Sequence, residues 1–258
     1  MPASAASALA RAKERGHRLF ICTGRSAPEV YPRFFDLGFE GIVGGAGGYA
    51  AVGSTVLLDE RMPAEHVEAL TRMWEELGAF YVWQGPDQMG PSRGYLDFFV
   101  PRAGENPQDW VEYGESVTPF VVDIEGGSFT KVTAYVRPEN ASMERISAAL
   151  PDGYRAIIGS VGAAGYVPFE VLPTRLSKAV GIEAVCEHLG IPLSRSVAIG
   201  DSNNDVEAVA RAGVGISIGD SCEALVEVAD IVAPAVGDDG FAWALAAAGL
   251  IDEAPNPA

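Results

Sequence analysis

At 258 residues with 48% hydrophobic content, the chain is long enough for one large or two modest domains around a real apolar core. Its 18 Lys and Arg against 35 Asp and Glu leave a net charge of −17, which argues against nucleic acid and anionic membrane as partners, because both need a basic surface. Three cysteines without CxxC spacing predict buried free thiols, and no apolar stretch is long enough to span a bilayer, so a cytoplasmic protein is expected.

In chain order, residues 7–16 (SALARAKERG) predict a helix closed by Gly16, and HRLFICTG predicts a buried strand running into a turn. SAPEVYPRFFDLG predicts a second helix with Ser26 as its cap. FEGIVGGAGGYAAVGSTVLLD then predicts a short strand, a glycine-rich turn and a hairpin. From Met62 the texture changes. Val67, Leu70, Trp74 and Leu77 recur at helical spacing, and the runs AFYVWQG, GYLDFFV and FTKVTAYV predict strands. After them come a helix over residues 140–151 and a strand in YRAIIGS. Trp83, Tyr95 and Phe98 are conceivable ligand contacts, but core is the simpler role for aromatics in such a block. Beyond Gly165, VPFEVLP, SRSVAIG, VGISIG and DIVAP alternate with three helical segments, the pattern of a parallel sheet flanked by helices. The predicted architecture is α/β: a doubly wound, Rossmann-like parallel sheet in two parts, residues 1–61 and 166–258, interrupted by an α+β domain over 62–165.

The chemistry concentrates at strand ends, where open parallel sheets place their ligand crevice. Asp201 follows SVAIG directly and Asp205 opens the next helix, so two carboxylates suit Mg²⁺, which prefers oxygen ligands and retains waters. Capping alone would also explain acidic residues here. A calcium loop would not, because Val206 and Ala212 stand where Gly and Glu belong. Asn204 offers an amide donor to an anion. ICTGRS repeats the arrangement: Thr23 brings a hydroxyl, Gly24 lets backbone approach an anion, and Arg25 adds charge, although a plain turn fits equally. Lys178 begins a helix, where the dipole disfavours a cation, so an anion should lie beside it unless it is simply solvated. GGAGGYA is not a dinucleotide fingerprint, since a hairpin rather than a helix follows.

ICTGRS, LSKAVGIEAV, AIGDSNNDVEAVARAG and VADIVAP…DDGFAWAL together resemble the haloacid dehalogenase superfamily, and more narrowly its Cof-type phosphatases, which carry a large α+β cap. The resemblance implies hydrolysis of a small phosphomonoester such as a sugar phosphate, through an aspartyl-phosphate and with Mg²⁺ as cofactor. It assigns catalytic roles to Thr23 and Lys178, phosphate binding to Thr23, Gly24, Arg25 and Asn204, and metal binding to Asp201 directly and Asp205 through water or through Lys178. The family's first motif, Asp-x-Asp-Gly-Thr, is absent, for no Asp-x-Asp occurs in the 258 residues. In the family it lies on a central strand between those matching HRLFICT and SRSVAIG. The expectation is therefore that the nucleophile lies upstream of Met1, in a longer parent, and that two apolar strands lack a shared neighbour. A non-catalytic protein that binds a phosphorylated ligand and a phosphomutase on the same fold are the alternatives.

Overall fold

The structure, a computed structural model, describes residues 1–103 and 108–252. The chain divides into two units, and the first comprises Met1–Gly24, Pro32–Leu58 and Ser177–Ala258. In it β1 (Phe20–Cys22) pairs in parallel with β2 (Gly41–Gly44), which continues antiparallel into β3 (Tyr49–Val52) and then β4 (Thr55–Asp59). A second sheet holds β10 (Val197–Gly200), β11 (Val214–Ile218) and β12 (Ile231–Ala233), all parallel. Among the described residues β1 has no partner on its other side and neither has β10. The two strands expected to lack a shared neighbour are edge strands here.

Helix α1 (Ala3–Glu14) packs Ala8 and Ala12 against Ala242 and Leu245 of α9 (Gly240–Ala247), with Leu19 and Ile199 against the same cluster. Alanines at these facing positions let two helices approach closely. Helix α6 (Lys178–Leu189) sets Val185 on Val43 and Ala50, while α7 (Val206–Arg211) and α8 (Glu223–Val228) enclose Ala198 with Ala208, Val209 and Leu225.

The second unit is Arg25–Tyr31 with Asp59–Leu176. Its antiparallel sheet runs β6 (Met89–Pro91), β5 (Phe80–Gln84), β7 (Lys131–Val136), β9 (Val167–Pro173), β8 (Tyr154–Ile158). On one face Val67, Leu70 and Trp74 of α2 (Ala64–Glu76) and Ile146 of α5 (Met143–Ala148) cover Val132, Ala134 and Val171. The other carries Val82 and Tyr135 under α3 (Tyr95–Phe99) and α4 (Gln108–Val117). No helix among the described residues is long and apolar enough to cross a membrane.

Four details differ from the sequence expectation. Segment VPFEVLP is not a strand of the parallel sheet: as β9 it pairs antiparallel with β7 and β8, so the inserted domain ends at Leu176 rather than Gly165, and it also takes in Arg25–Tyr31. GYLDFFV is helical, because Tyr95, Phe98 and Phe99 stand three and four apart and bury on one side, with left-handed Gly94 turning the chain into the helix. Residues 26–38 form two short 3₁₀ turns (Ala27–Glu29 and Pro32–Leu37), since Pro28 and Pro32 withhold the amides an α-helix needs. Cys22 is exposed, and Cys186 and Cys222 are half-buried, instead of all three lying in the core. Trp83, Tyr95 and Phe98 are buried side chains of the second unit.

Candidate functional site

Six of the seven sequence-predicted residues lie in the first unit, at the carboxyl ends of β1 and β10 and the start of α6. The peptide of Thr23 is fixed on both sides, its N–H donating to Val43 O (2.8 Å) and its carbonyl accepting from Ala46 N–H (3.3 Å). Gly24 leaves room for an amide: a β-carbon there would lie 3.3 Å from Asn204 Nδ2. The glycine-rich turn behind them brings Gly47, at φ +96°, so close to α6 that a β-carbon would fall 1.9 Å from Ser177 O. The Ser177 hydroxyl just before α6 is buried with no hydrogen-bond partner among the described residues.

Lys178 and Asp205 form the centre. Both are buried, and Lys178 Nζ donates to Asp205 Oδ1 (2.5 Å) and Asn204 Oδ1 (2.9 Å). Asp205 Oδ2 accepts from the Asp201 and Ser202 amides (each 3.2 Å), and the Ser202 hydroxyl lies 3.0 Å from it. This fold-back needs Gly200, because a β-carbon there would sit 2.3 Å from Asp205 Cβ. Asp205 is thus the anion that offsets the cation at the start of α6, and neither of its oxygens is unengaged. The exposed carboxylate of Asp201 has no hydrogen-bond or ion-pair partner among the described residues. No group of three or more His, Cys, Asp and Glu among them is arranged to hold a metal ion. Mg²⁺ needs no such cage, since one carboxylate completed by waters and ligand oxygens suffices, and Asp201 fits that demand.

Cys22, one residue before Thr23, is open to solvent yet has many protein atoms around it. Lost hydration pushes its thiol up to about 11, with Lys178 pulling it down and Asp205 pushing it up. Arg25 does not join the cluster within the first unit. It belongs to the second, its guanidinium 5.5 Å from the Trp110 ring and 5.8 Å from that of Tyr31, with Nη1 donating to Glu29 O (3.2 Å). Ser202 escaped sequence reasoning. Its spacing from Asp205, a hydroxyl three residues before an acid at a helix start, was the available signal.

Comparison with known proteins extends the picture beyond the site. YkrA of Bacillus subtilis (strain 168), named provisionally as a phosphatase, is 25% identical over 97% of this chain and 92% of its own. The 5-amino-6-(5-phospho-D-ribitylamino)uracil phosphatase YitU of the same organism is 31% identical over a shorter stretch, 31% of this chain and 30% of its own length. Among solved structures, the HAD subclass IIB sugar phosphatase BT4131 superposes with a TM-score of 0.76 at 22% identity, over 97% of this chain and 93% of that one, which is a likeness of fold. The sequence model for haloacid dehalogenase-like hydrolases matches residues 1–245. With nearly its whole length matched in order, the chain belongs to the haloacid dehalogenase-like hydrolase family.

Proposed function

We propose that these residues form the phosphate- and metal-binding part of a Mg²⁺-dependent phosphomonoester hydrolase of the Cof type, acting on a small phosphorylated metabolite such as a sugar phosphate. The observation that supports the reading most is the pairing of buried Lys178 with Asp205 and Asn204 while Asp201, four residues before Asp205, keeps an open carboxylate. In this reading Asp205 orients Lys178 and keeps its ammonium charged, and Lys178 neutralises a phosphoryl oxygen. Thr23 donates its hydroxyl to another oxygen, and Asn204 Nδ2, on the side of Gly24, donates to a third. Asp201 would hold Mg²⁺, with Asp205 reaching it only through water; the ion, when bound, draws off charge from the phosphoryl group.

Turnover needs a nucleophile as well, and no Asp-x-Asp occurs in the 258 residues. The proposal therefore separates binding from hydrolysis. The 258-residue chain should bind inorganic phosphate and Mg²⁺ and lose phosphate binding in Lys178→Ala, yet leave p-nitrophenyl phosphate intact. A chain extended upstream through an in-frame Asp-x-Asp should hydrolyse it, with an acid-stable aspartyl-phosphate trapped on the way. Absence of phosphate binding would sink the proposal. Binding without hydrolysis in every extended form would favour the second reading, a non-catalytic binder of a phosphorylated ligand, which the missing motif supports.

A further inference from the structure

The side-chain amide of Asn204 is held at one end and open at the other. Its Oδ1 accepts from Lys178 Nζ (2.9 Å) and lies 2.9 Å from the Ser202 hydroxyl. Its Nδ2 has no acceptor among the described residues. That nitrogen lies on the side of Gly24, where a β-carbon would come within 3.3 Å of it. Gly24, Lys178, Ser202 and Asn204 all belong to the first unit. Lys178 decides which end of the amide is which, since the reverse orientation would set an NH₂ group against an ammonium. Lys178 alone, however, gives Oδ1 a single hydrogen bond, and an amide held by one bond can still pivot about it.

The Ser202 hydroxyl has one proton and two acceptors within reach, Asn204 Oδ1 at 2.9 Å and Asp205 Oδ2 at 3.0 Å. Asp205 Oδ2 already receives the Asp201 and Ser202 amides, which need no side chain at position 202. Asn204 Oδ1 has a second lone pair, and among the described residues only Ser202 reaches it. We infer that Ser202 is a positioning residue for the anion site: its hydroxyl donates to Asn204 Oδ1 and, with Lys178, clamps the amide so that Nδ2 is presented beside Gly24. Ser202 touches no bound anion itself and acts only through Asn204. The inference rests on the reading of Thr23, Lys178 and Asn204 as a phosphate cradle.

The test is a double-mutant cycle read by isothermal titration of the 258-residue chain with inorganic phosphate at saturating Mg²⁺. Tm and the affinity for Mg²⁺ alone are recorded for each variant. Ser202→Ala should weaken phosphate binding about fivefold, the worth of one hydrogen bond, and Ser202→Thr, which keeps the hydroxyl, should stay within about twofold of wild type. Asn204→Ala should weaken it about tenfold, and adding Ser202→Ala to that variant should cost less than about twofold more. A full fivefold step in the Asn204→Ala background would mean that the hydroxyl serves Asp205 instead, and it overturns the inference. So does a Ser202→Ala protein that melts lower with phosphate affinity untouched, or one that loses Mg²⁺ and phosphate affinity in parallel, since either marks a residue that only holds the loop. Where Ser202→Ala fails to fold, or the double variant binds too weakly to titrate, the Asn204 side-chain amide decides. Its signals in nitrogen–proton NMR spectra should shift on phosphate addition in wild type and Ser202→Thr, and far less in Ser202→Cys, whose thiol is a weak donor. Equal shifts in all three are the refutation. Wild type that ignores phosphate, or Lys178→Ala that binds it equally well, overturns the cradle reading itself. Binding lost in Lys178→Ala but indifferent to Ser202→Ala overturns this inference alone.

Discussion

Lys178 stands where the positive end of a helix dipole meets a cation, and both it and its partner Asp205 are less than a tenth exposed. Such a pair adds little net stability over an apolar one, but removing one member strands the other. Asp205→Ala should therefore destabilise the first unit by about 3–5 kcal/mol, read from the urea midpoint at constant m-value; a loss under about 1 kcal/mol would mean that water reaches the ammonium. Cys22 gives the pH-dependent counterpart. With its thiol raised from 9.0 to about 11, the neutral form is favoured in the folded protein, so the reactive thiolate is scarcer than in a free cysteine until the pH passes about 11. In a Cys186→Ser, Cys222→Ser background, alkylation by iodoacetamide at pH 8 should run about a hundredfold slower than for a model thiol. It should climb about tenfold per pH unit, and Asp205→Asn, which removes a charge that raises the pKa, should speed it. A rate equal to the model thiol's would refute the shift. Ala46 is strained differently: it is buried in the left-handed region at φ 57°, ψ 33°. Ala46→Gly should relieve about 1 kcal/mol of that strain, appearing as a higher Tm.

At the scale of elements, the loop after β10 depends on a missing side chain. Gly200→Ala would drive a β-carbon into Asp205, and the loop cannot retreat without breaking the hydrogen bonds from the Asp201 and Ser202 amides. Expected are a loss of about 1–3 kcal/mol from overpacking and, on the proposal that Asp201 holds Mg²⁺, a clear fall in Mg²⁺ affinity by titration, because the same loop carries Asp201. This element was legible in the sequence: an apolar run ending in Gly200-Asp201 and a helix opening at Asp205 left few other conformations. The strands of the parallel sheets were legible for the same reason, as unbroken apolar runs between helical segments. Local pattern failed where tertiary partners decide. VPFEVLP has the texture of a doubly buried strand in either sheet, and only its pairing with β7 and β8 says which. GYLDFFV alternates well enough for a strand, yet its aromatics pack as a helix on Tyr135. Glu29 gave only a local signal, its spacing of three from Ser26 at a helix start, and nothing near it in the chain says that Gln84 and Tyr113, more than fifty residues on, close over it.

Over the whole molecule, the first unit presents an arrangement that its own strands leave open. In a parallel ladder one residue's N–H and C=O point to the same neighbour, and successive residues alternate sides. Thr23 N–H goes to Val43 O and Leu19 O receives Glu40 N–H, so Leu19, Ile21 and Thr23 face β2, and Phe20 and Cys22 face the other way. On β10, Ser196 O receives Val214 N–H, so Ser196, Ala198 and Gly200 face β11, and Val197 and Ile199 face away. Among the described residues, none of those four outward amides has a backbone acceptor. Native-state hydrogen exchange resolved to single amides should therefore split each strand. Ile21 and Ala198 should be protected by orders of magnitude, and Phe20, Cys22, Val197 and Ile199 should exchange fast. Such edges are also where one copy can pair with another. The fast set should then gain protection as protein concentration rises, in step with a growing hydrodynamic radius, while the net charge of −17 opposes that association at low salt more than at high. Uniform protection along both strands in dilute protein would mean that a segment pairs with these edges in solution, and cross-linking from the accessible Cys22 thiol would identify it.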